Sequence, residues 1–200
     1  MQLILASASP RRSQILRDLG VVFAVQEPPP EAERALPRHL PLPRLRNLLP
    51  EVSQGKALAV ASQLEGEQLV LAADTVVYAQ GQILGKPGGG LVARRHLETL
   101  SQRTHRVLSA VSVLCCSSGA LCSRVEETQV RFQALDEQQI ERYVGTGEPL
   151  DKAGSYGIQG WGGLFVEWIR GRYDNVVGLP LCAVESALQE LGYSLYDFRA

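Results

Sequence analysis

A single carboxylate lies inside the most apolar stretch of the chain. Asp74 falls within residues 69–78, whose aliphatic and β-branched side chains predict a strand buried on both faces of a sheet. Because an unpaired charge is unfavourable in such a strand, we expect Asp74 to have a cationic partner or to share a metal ion with a ligand. The alternative is that Asp74 ends the strand and caps a neighbouring turn.

Two adjacent arginines follow the Ser-Ala-Ser-Pro segment at 7–10. Ser9 is a favourable N-cap and Pro10 suits the first helical position, so Arg11 and Arg12 belong to the first turn of a predicted helix. The helix dipole is positive there and disfavours cations unless an anion binds. Backbone N–H groups, serine hydroxyls and two guanidinium groups could together bind a phosphate. The alternative is a pair of solvated surface arginines.

Lysine is rare in this chain. Of the 20 Lys and Arg residues only three are lysine, namely Lys56, Lys86 and Lys152. This bias indicates positions that need a compact ammonium group, although chance could explain any one of them. The glycine-rich segment that follows Lys152 contains Gln159. Its glycines would let the backbone approach a ligand closely, and the Gln159 amide could donate to and accept from a nucleobase edge.

Composition predicts one globular domain over residues 1–200. The chain is 45% hydrophobic and 20% charged, and its net charge of −1 argues against nonspecific binding of nucleic acid. No segment has the length of a signal or a membrane span, so we expect no membrane partner. The four cysteines lack metal-binding spacing and are expected to be reduced core residues, which favours a cytoplasmic protein: Cys115, Cys116, Cys122 and Cys182.

The periodicity of apolar residues predicts alternating strands and helices. Strands are expected at 2–6, 21–26, 69–78, 104–116, 120–132 and 164–170, and helices at 10–19, 51–64, 91–100, 135–144 and from about 176–180 to 191. Residues 27–50 carry many prolines and are predicted to be irregular. A hairpin at 79–87 could return Lys86 to Asp74. His39 and His96 are expected at the surface, and no Ser-His or Cys-His pair has the spacing of a catalytic dyad.

Several motifs occur in one order along the chain: Ser7–Arg12, Lys56-Ala57, Ala73–Val77, Leu84–Pro87, Thr104-His105, Glu148–Gly154, Tyr156–Gly160 and Asn175–Pro180. Together they closely resemble the Maf family of nucleoside triphosphate pyrophosphatases over nearly the whole chain. The resemblance implies an α/β fold similar to that of inosine triphosphatase, with a mixed twisted sheet, flanking helices and a cleft between two lobes. It also implies a divalent metal, Mg²⁺ or Mn²⁺, and hydrolysis of a nucleoside triphosphate to a monophosphate and pyrophosphate.

The motifs at 151–160 resemble the subgroup that acts on dTTP and UTP, including modified pyrimidine nucleotides in a house-cleaning role. By position, the resemblance assigns Asp74 as the proton acceptor, which could also hold the metal. It assigns substrate choice to Arg11, Thr75 and Gln159. It implies that the remaining motif residues bind substrate, chiefly its phosphates: Ser9, Arg12, Lys56, Lys86 and Lys152.

The sequence departs from the family pattern near residue 32. The family has a pair of acids after the second strand, and here the segment Pro30–Arg34 has Ala32 at one of the two positions. Either Glu31 or Glu33 could therefore supply the second metal ligand. Prolines interrupt the following stretch, which is helical in the family, and Gly55 precedes Lys56 where a longer polar residue is common.

Two further functions compete with the pyrophosphatase hypothesis. The family is also associated with restraint of septum formation, so the protein could be a nucleotide-binding regulator with little turnover. A phosphatase that forms an aspartyl intermediate is disfavoured because no second Asp stands two residues after Asp74. Relatives are often dimers, so a homodimer is a possible partner state.

Overall fold

A mixed seven-stranded sheet forms the centre of the computed structural model, which describes residues 1–199. The strand order is β2-β1-β3-β5-β6-β7, and β4 pairs with β3 outside this path. Strand β1 is parallel to β2 and β3, and the other pairs are antiparallel. The strands are β1 (Gln2–Ala6), β2 (Ala24–Val25), β3 (Gln68–Ala79), β4 (Gln82–Leu84), β5 (Thr104–Cys115), β6 (Leu121–Phe132) and β7 (Val166–Arg170).

Helices cover both faces of the sheet. They are α1 (Pro10–Asp18), α2 (Leu42–Ala61), α3 (Gly90–Leu100), α4 (Glu137–Gly145), α5 (Tyr173–Val177) and α6 (Leu181–Glu190). Alternate residues of β3 face opposite sides: Leu71 packs in a cluster with residues of α6, and Val70 packs in a cluster with residues of α2. The continuous apolar run of β3 is therefore explained by burial on both faces, as the sequence predicted.

A second core lies at the other end of the sheet, under α3 and α4. It includes Phe132, Leu97 and Tyr143, and it also contains the far end of β3 at Val77 and Ala79. Strand β3 thus connects two packed lobes. The α/β class and the mixed sheet with flanking helices are confirmed.

The cleft between the lobes follows from the pairing of β3. Along one edge β5 pairs with β3 from Leu69 to Tyr78. Along the other edge β1 ends at Ala6 opposite Ala72, and β4 begins to pair only at Val77. Residues 73–76 therefore have no strand neighbour on that edge among the described residues. Such a break between strands is where α/β sheets form a crevice, and Asp74 lies in it.

The proline-rich segment contains a helix that the sequence analysis did not predict. Helix α2 begins at Leu42 rather than at 51, with Pro41 as its N-cap and Pro43 in its first turn, where the missing N–H costs little. Only Pro50 lies inside the helix. The cost of Pro50 to the helix is outweighed by a stripe of apolar side chains that packs on the sheet at helical spacing. The stripe consists of Leu45, Leu49 and Val52.

The C-terminal helix is also divided. One helix was predicted from about 176–180 to 191, but α5 ends at Val177 and α6 begins at Leu181. Gly178 has φ of 123°, a backbone conformation that L side chains rarely adopt, and Pro180 precedes α6 as its N-cap. The interruption turns the carbonyl of Gly178 toward α1, where it accepts from Arg12.

Two predictions about burial were wrong. His96 is buried rather than at the surface, because α3 places it against Ser155, and its Nδ1 is 2.8 Å from the Ser155 hydroxyl. Cys182 is exposed on α6, whereas Cys115 and Cys122 are buried as expected. Among residues 1–199, no helix combines the length and the hydropathy that crossing a membrane requires.

Candidate active site

A cavity of about 600 Å³ occupies the cleft at the open edge of β3. Every substrate-binding or catalytic residue expected from the sequence lines it, together with Glu33: Ser9, Arg11, Arg12, Lys56, Asp74, Thr75, Lys86, Lys152 and Gln159. The three lysines thus converge, which chance placement would not require. Glu31 is the exception, because it lines a separate groove beside Arg34 and Glu51. Of the two acids considered for the metal, the structure brings only Glu33 into the cleft.

Lys56 is the cationic partner of Asp74. Helix α2 crosses the sheet face and presents Lys56 at the cleft, where its Nζ donates to Asp74 Oδ1 at 2.6 Å and lies 3.0 Å from Glu33 Oε2. The Lys56 side chain is 6% exposed and that of Asp74 20%. One buried ammonium therefore compensates two carboxylates, and the second oxygen of Asp74 is available to a ligand.

Arg12 connects three parts of the site from beneath. Its Nη1 donates to Ser7 Oγ at 3.1 Å, its Nη2 to Thr75 Oγ1 at 3.2 Å and its Nε to the Gly178 carbonyl at 2.9 Å. Burial lowers the pKa of Arg12 and the charge of Asp74 opposes that shift, but a guanidinium remains charged at neutral pH. Arg12 thus fixes the end of β1, the middle of β3 and the α5–α6 connection relative to one another.

Thr75 belongs to the same network. Its hydroxyl lies 2.8 Å from Ser109 Oγ on β5 and 3.3 Å from the Gly178 carbonyl. Because successive residues of a strand point to opposite faces, Thr75 faces α1 while Asp74 faces α2. The two side chains enter the cavity from the two sides of β3.

Arg11 reaches across the cleft to the opposite wall. Its Nη1 lies 3.3 Å from Asp151 Oδ2, and Lys152 Nζ donates to Asp151 Oδ1 at 2.8 Å. Burial alone would raise the pKa of Asp151, but the hydrogen bond from Lys152 and the charges of Lys152 and Arg11 hold it below its usual value. Asp151 therefore stays ionised and occupies two cations that a polyphosphate could otherwise engage.

Lys86 and Gln159 are both exposed at the site. Lys86 follows β4, which confirms that the β3–β4 hairpin returns it to the cleft. Gln159 lies at the tip of the glycine-rich segment. Neither side chain hydrogen-bonds to another residue within the described part of the chain, so both can contact a ligand.

The carboxylates of the cleft fit a magnesium-like ion that arrives with its substrate. Mg²⁺ is typically held by one or two protein carboxylates and completed by phosphate oxygens and water. Asp74 and Glu33 provide two such groups, and both contact the ammonium of Lys56. Across residues 1–199 no three His, Cys, Asp or Glu side chains form a complete cage.

Three site residues were not identified from the sequence. Ser7 accepts from both Arg12 and the backbone N–H of Ser9, and its place in the same motif as the arginines was an available signal. Asp151 directly precedes Lys152, so a carboxylate beside a candidate phosphate-binding lysine could also have been noticed. Gly178 lies in the motif Asn175–Pro180, but its role could not be read from the sequence because it depends on the direction of a carbonyl.

The chain matches the Maf-like protein family over residues 2–191. It is 47% identical over 195 residues to a dTTP/UTP pyrophosphatase of Moorella thermoacetica, covering 98% of this chain and 97% of the relative. It is also 45% identical over 196 residues to a dTTP/UTP pyrophosphatase of Anaeromyxobacter dehalogenans, and this match covers 97% of this chain and 96% of the relative.

Among solved structures, the chain is similar to a nucleoside-triphosphatase (dITP/XTP pyrophosphatase) from Mycobacterium abscessus. The match covers 68% of this chain and 76% of that chain. Its TM-score is 0.37 and its identity 12%. Membership of a family is therefore decided by the sequence matches.

Proposed function

Because this chain belongs to the Maf-like protein family, we propose that it hydrolyses nucleoside triphosphates, with dTTP and UTP preferred, to a nucleoside monophosphate and pyrophosphate. The observation that carries this proposal is the arrangement of Asp74 against Lys56 in a cleft that also contains Arg11, Lys86 and Lys152. The names of the relatives described above support the pyrimidine preference.

Asp74 is proposed as the group that accepts a proton from the attacking water. Its Oδ1 is held by Lys56, so the carboxylate has one orientation and directs its other oxygen to the cavity. An ionised carboxylate is the form that can accept a proton. Glu33 contacts the same ammonium at 3.0 Å and helps to hold it in place.

The cations on the two walls are proposed to bind the triphosphate. Arg11 extends from α1, Lys86 from the end of β4 and Lys152 from the opposite wall, so their positive charges surround the cavity. Charge on the phosphoryl oxygens is stabilised by such fixed cations as the bond to the leaving pyrophosphate breaks. Engaging Arg11 and Lys152 requires the phosphates to replace Asp151 as their partner.

Asp74 and Glu33 are proposed as the residues that would hold a divalent cation, Mg²⁺ or Mn²⁺, together with the substrate phosphates. The cation would supply Lewis-acid stabilisation and lower the pKa of a bound water. Gln159 is proposed to recognise the base. Thr75 is proposed to hold the surface of β3 that faces the cleft in the shape that substrate choice requires.

A cytoplasmic location and a homodimer remain predictions.

The test is pyrophosphate release from dTTP, UTP, CTP, GTP, dITP and 7-methyl-GTP, first with magnesium and then with manganese. We expect the wild type to cleave dTTP and UTP preferentially, and Asp74→Asn to lose release while still binding dTTP. Glu51→Gln is the matched control, because Glu51 is an acid paired with Arg34 outside the cleft.

Two results would contradict the proposal. Undiminished release by Asp74→Asn would remove Asp74 from the reaction. Nucleotide binding by the wild type without turnover under either metal would favour the nucleotide-binding regulator, and would point to the changed acid pair around Ala32 as the cause.

A further inference from the structure

The glycine-rich turn that carries Gln159 closes around a carboxylate. The N–H of Gly160 donates to the carbonyl of Gly157 at 3.3 Å, which makes residues 157–160 a turn with Gln159 at its third position. Just after the turn, the backbone N–H groups of Trp161 and Gly162 donate to the side chain of Glu148 at 2.9 and 3.2 Å. The Glu148 side chain therefore binds the backbone that follows Gln159.

Tyr143 fixes the same carboxylate from α4. Its hydroxyl donates to Glu148 Oε1 at 2.9 Å and accepts from the N–H of Gly157 at 3.2 Å. Burial, and then the hydrogen bond to Glu148, raise the pKa of Tyr143, so the hydroxyl keeps the proton that it donates. The start of the turn is held by Tyr143 and its end by Glu148, and the two side chains are joined.

Two glycines of this segment, Gly160 and Gly162, lie against these two side chains. A Cβ at Gly160 would lie 2.5 Å from Glu148 Oε2, and a Cβ at Gly162 would lie 2.7 Å from the Tyr143 hydroxyl. A Cβ at either position would force a neighbour to move, and at Gly162 the backbone of Gly157 at 2.9 Å is a second obstacle. Gly157 and Gly160 also line the cavity, so the close approach of a ligand that the sequence predicts stays a prediction. Gly160 in addition leaves room for the Glu148 carboxylate.

We propose that Glu148 is a positioning residue for base selection, and that Tyr143 supports it. Neither side chain needs to touch the base, because together they set the place and orientation of the turn that presents Gln159. This inference rests on the proposed function and deepens it. It assigns the preference for a pyrimidine base to the pair of residues that hold the turn, of which Glu148 lines the cavity, as well as to Gln159 itself.

The phosphate side of the site can be separated from this effect. Lys152 Nζ donates to the backbone carbonyl of Glu148 and to Asp151, and makes no bond to the Glu148 carboxylate. A change confined to the Glu148 side chain therefore leaves the partners of Lys152 in place. Inorganic pyrophosphate, which has no base, probes that side alone.

The experiment compares Glu148→Gln and Tyr143→Phe with the wild type. In Glu148→Gln an amide NH₂ replaces an oxygen that accepts backbone N–H groups, so at least one bond to the turn is lost. Because a displacement of about 1 Å can cost roughly a hundredfold, we expect kcat/KM for dTTP to fall about tenfold to a hundredfold. We expect a smaller loss for dGTP, and inhibition by inorganic pyrophosphate that stays within about twofold.

Tyr143→Phe keeps the Glu148 carboxylate and removes only the Tyr143 hydroxyl that supports it. It should therefore reduce the preference for dTTP less than Glu148→Gln does. Glu141→Gln is the control, since Glu141 is an exposed acid on the same helix that pairs with Arg94. Equilibrium binding of dTTP and dGTP, measured alongside turnover, gives the ratio of their dissociation constants. This ratio reports base preference without depending on hydrolysis.

An unchanged dTTP-to-dGTP ratio in Glu148→Gln would overturn the inference, as would an equal loss for dTTP, dGTP and pyrophosphate. The proposed function fails separately, through the absence of wild-type turnover. In that case a base preference in binding that Glu148→Gln reduces would still support the inference, and a wild type that binds no nucleotide would overturn both.

Discussion

Arg11 and Arg12 are neighbours in one helical turn, yet the structure predicts opposite consequences for their loss. Arg12 is buried and makes three hydrogen bonds, to Ser7, Thr75 and Gly178. A hydrogen bond from a charged group contributes about 1.5–3 kcal/mol. The three contributions are not additive here, because Thr75 keeps Ser109 as a partner when Arg12 is removed.

We therefore expect Arg12→Ala to reduce the free energy of unfolding by about 3 kcal/mol, in the range of a broken buried network. For a domain of this size each kcal/mol shifts Tm by roughly 2–4 °C, so Tm should fall by about 6–12 °C. Arg12→Lys should recover only part of the loss, because one ammonium on a flexible stem cannot replace a planar group with three separate partners.

Arg11→Ala should leave Tm within about 2 °C of the wild type. The side chains of Arg11 and Asp151 are 30% and 63% exposed, and exposed ion pairs contribute about 0–1 kcal/mol. The same variant should lose kcat/KM for dTTP, because Arg11 enters the cavity and is one of its proposed phosphate-binding cations.

The assay is thermal unfolding by circular dichroism, with initial-rate kinetics on the same preparations at a temperature where all variants are folded. Equal Tm values for Arg11→Ala and Arg12→Ala would refute the argument, since it assigns the stability to the buried member of the pair. A large Tm loss in Arg11→Ala with normal kinetics would refute it equally.

Three further predictions concern the helix proline, a buried histidine and the base. Pro50→Ala should raise Tm by a few degrees, because it restores the N–H that an interior helical position normally donates; a fall would show that the proline is required by packing. Burial lowers the pKa of His105 to about 3, whereas the unfolded chain takes up that proton near 6.5, so stability is full above pH 6.5 and falls as pH decreases toward 3. Denaturant unfolding should therefore show a loss of about 2 kcal/mol from this group between pH 7.5 and 5 that is absent in His105→Gln; equal slopes would refute the assignment. Gln159→Glu should change the ratio of dTTP to dGTP cleavage more than Arg12→Ala, which should weaken all triphosphates alike.

The sequence predicted best those features that depend on local chemistry. The strand around Asp74 and the Ser9-Pro10 pair that starts α1 each followed from rules about neighbouring residues, and the structure has them. The convergence of three lysines could be suspected from composition. Its proof required the packing of α2, β4 and the 148–160 segment around one cavity.

Features that depend on competition between distant residues were not predictable in this way. Pro50 argues locally against a helix, and only the burial of Leu45 and Leu49 against the sheet reverses that argument. His96 has no sequence neighbour that explains its burial, because its partner Ser155 is far along the chain. The glycines at 157–162 indicate close approach of something, but not whether that is a ligand or the Glu148 carboxylate.

The position of the cleft has a simple geometric cause. Strand β3 has 12 residues, while the two strands that share its outer edge, β1 and β4, have five and three and approach it from opposite ends. Four residues at 73–76 are left between them, with backbone groups directed at the cavity rather than at a strand. A carboxylate elsewhere in β3 would be covered by a neighbouring strand and its helix. Asp74 is reachable because it lies in the interval that neither short strand fills, and Lys56 compensates its charge there because α2 crosses at the same level.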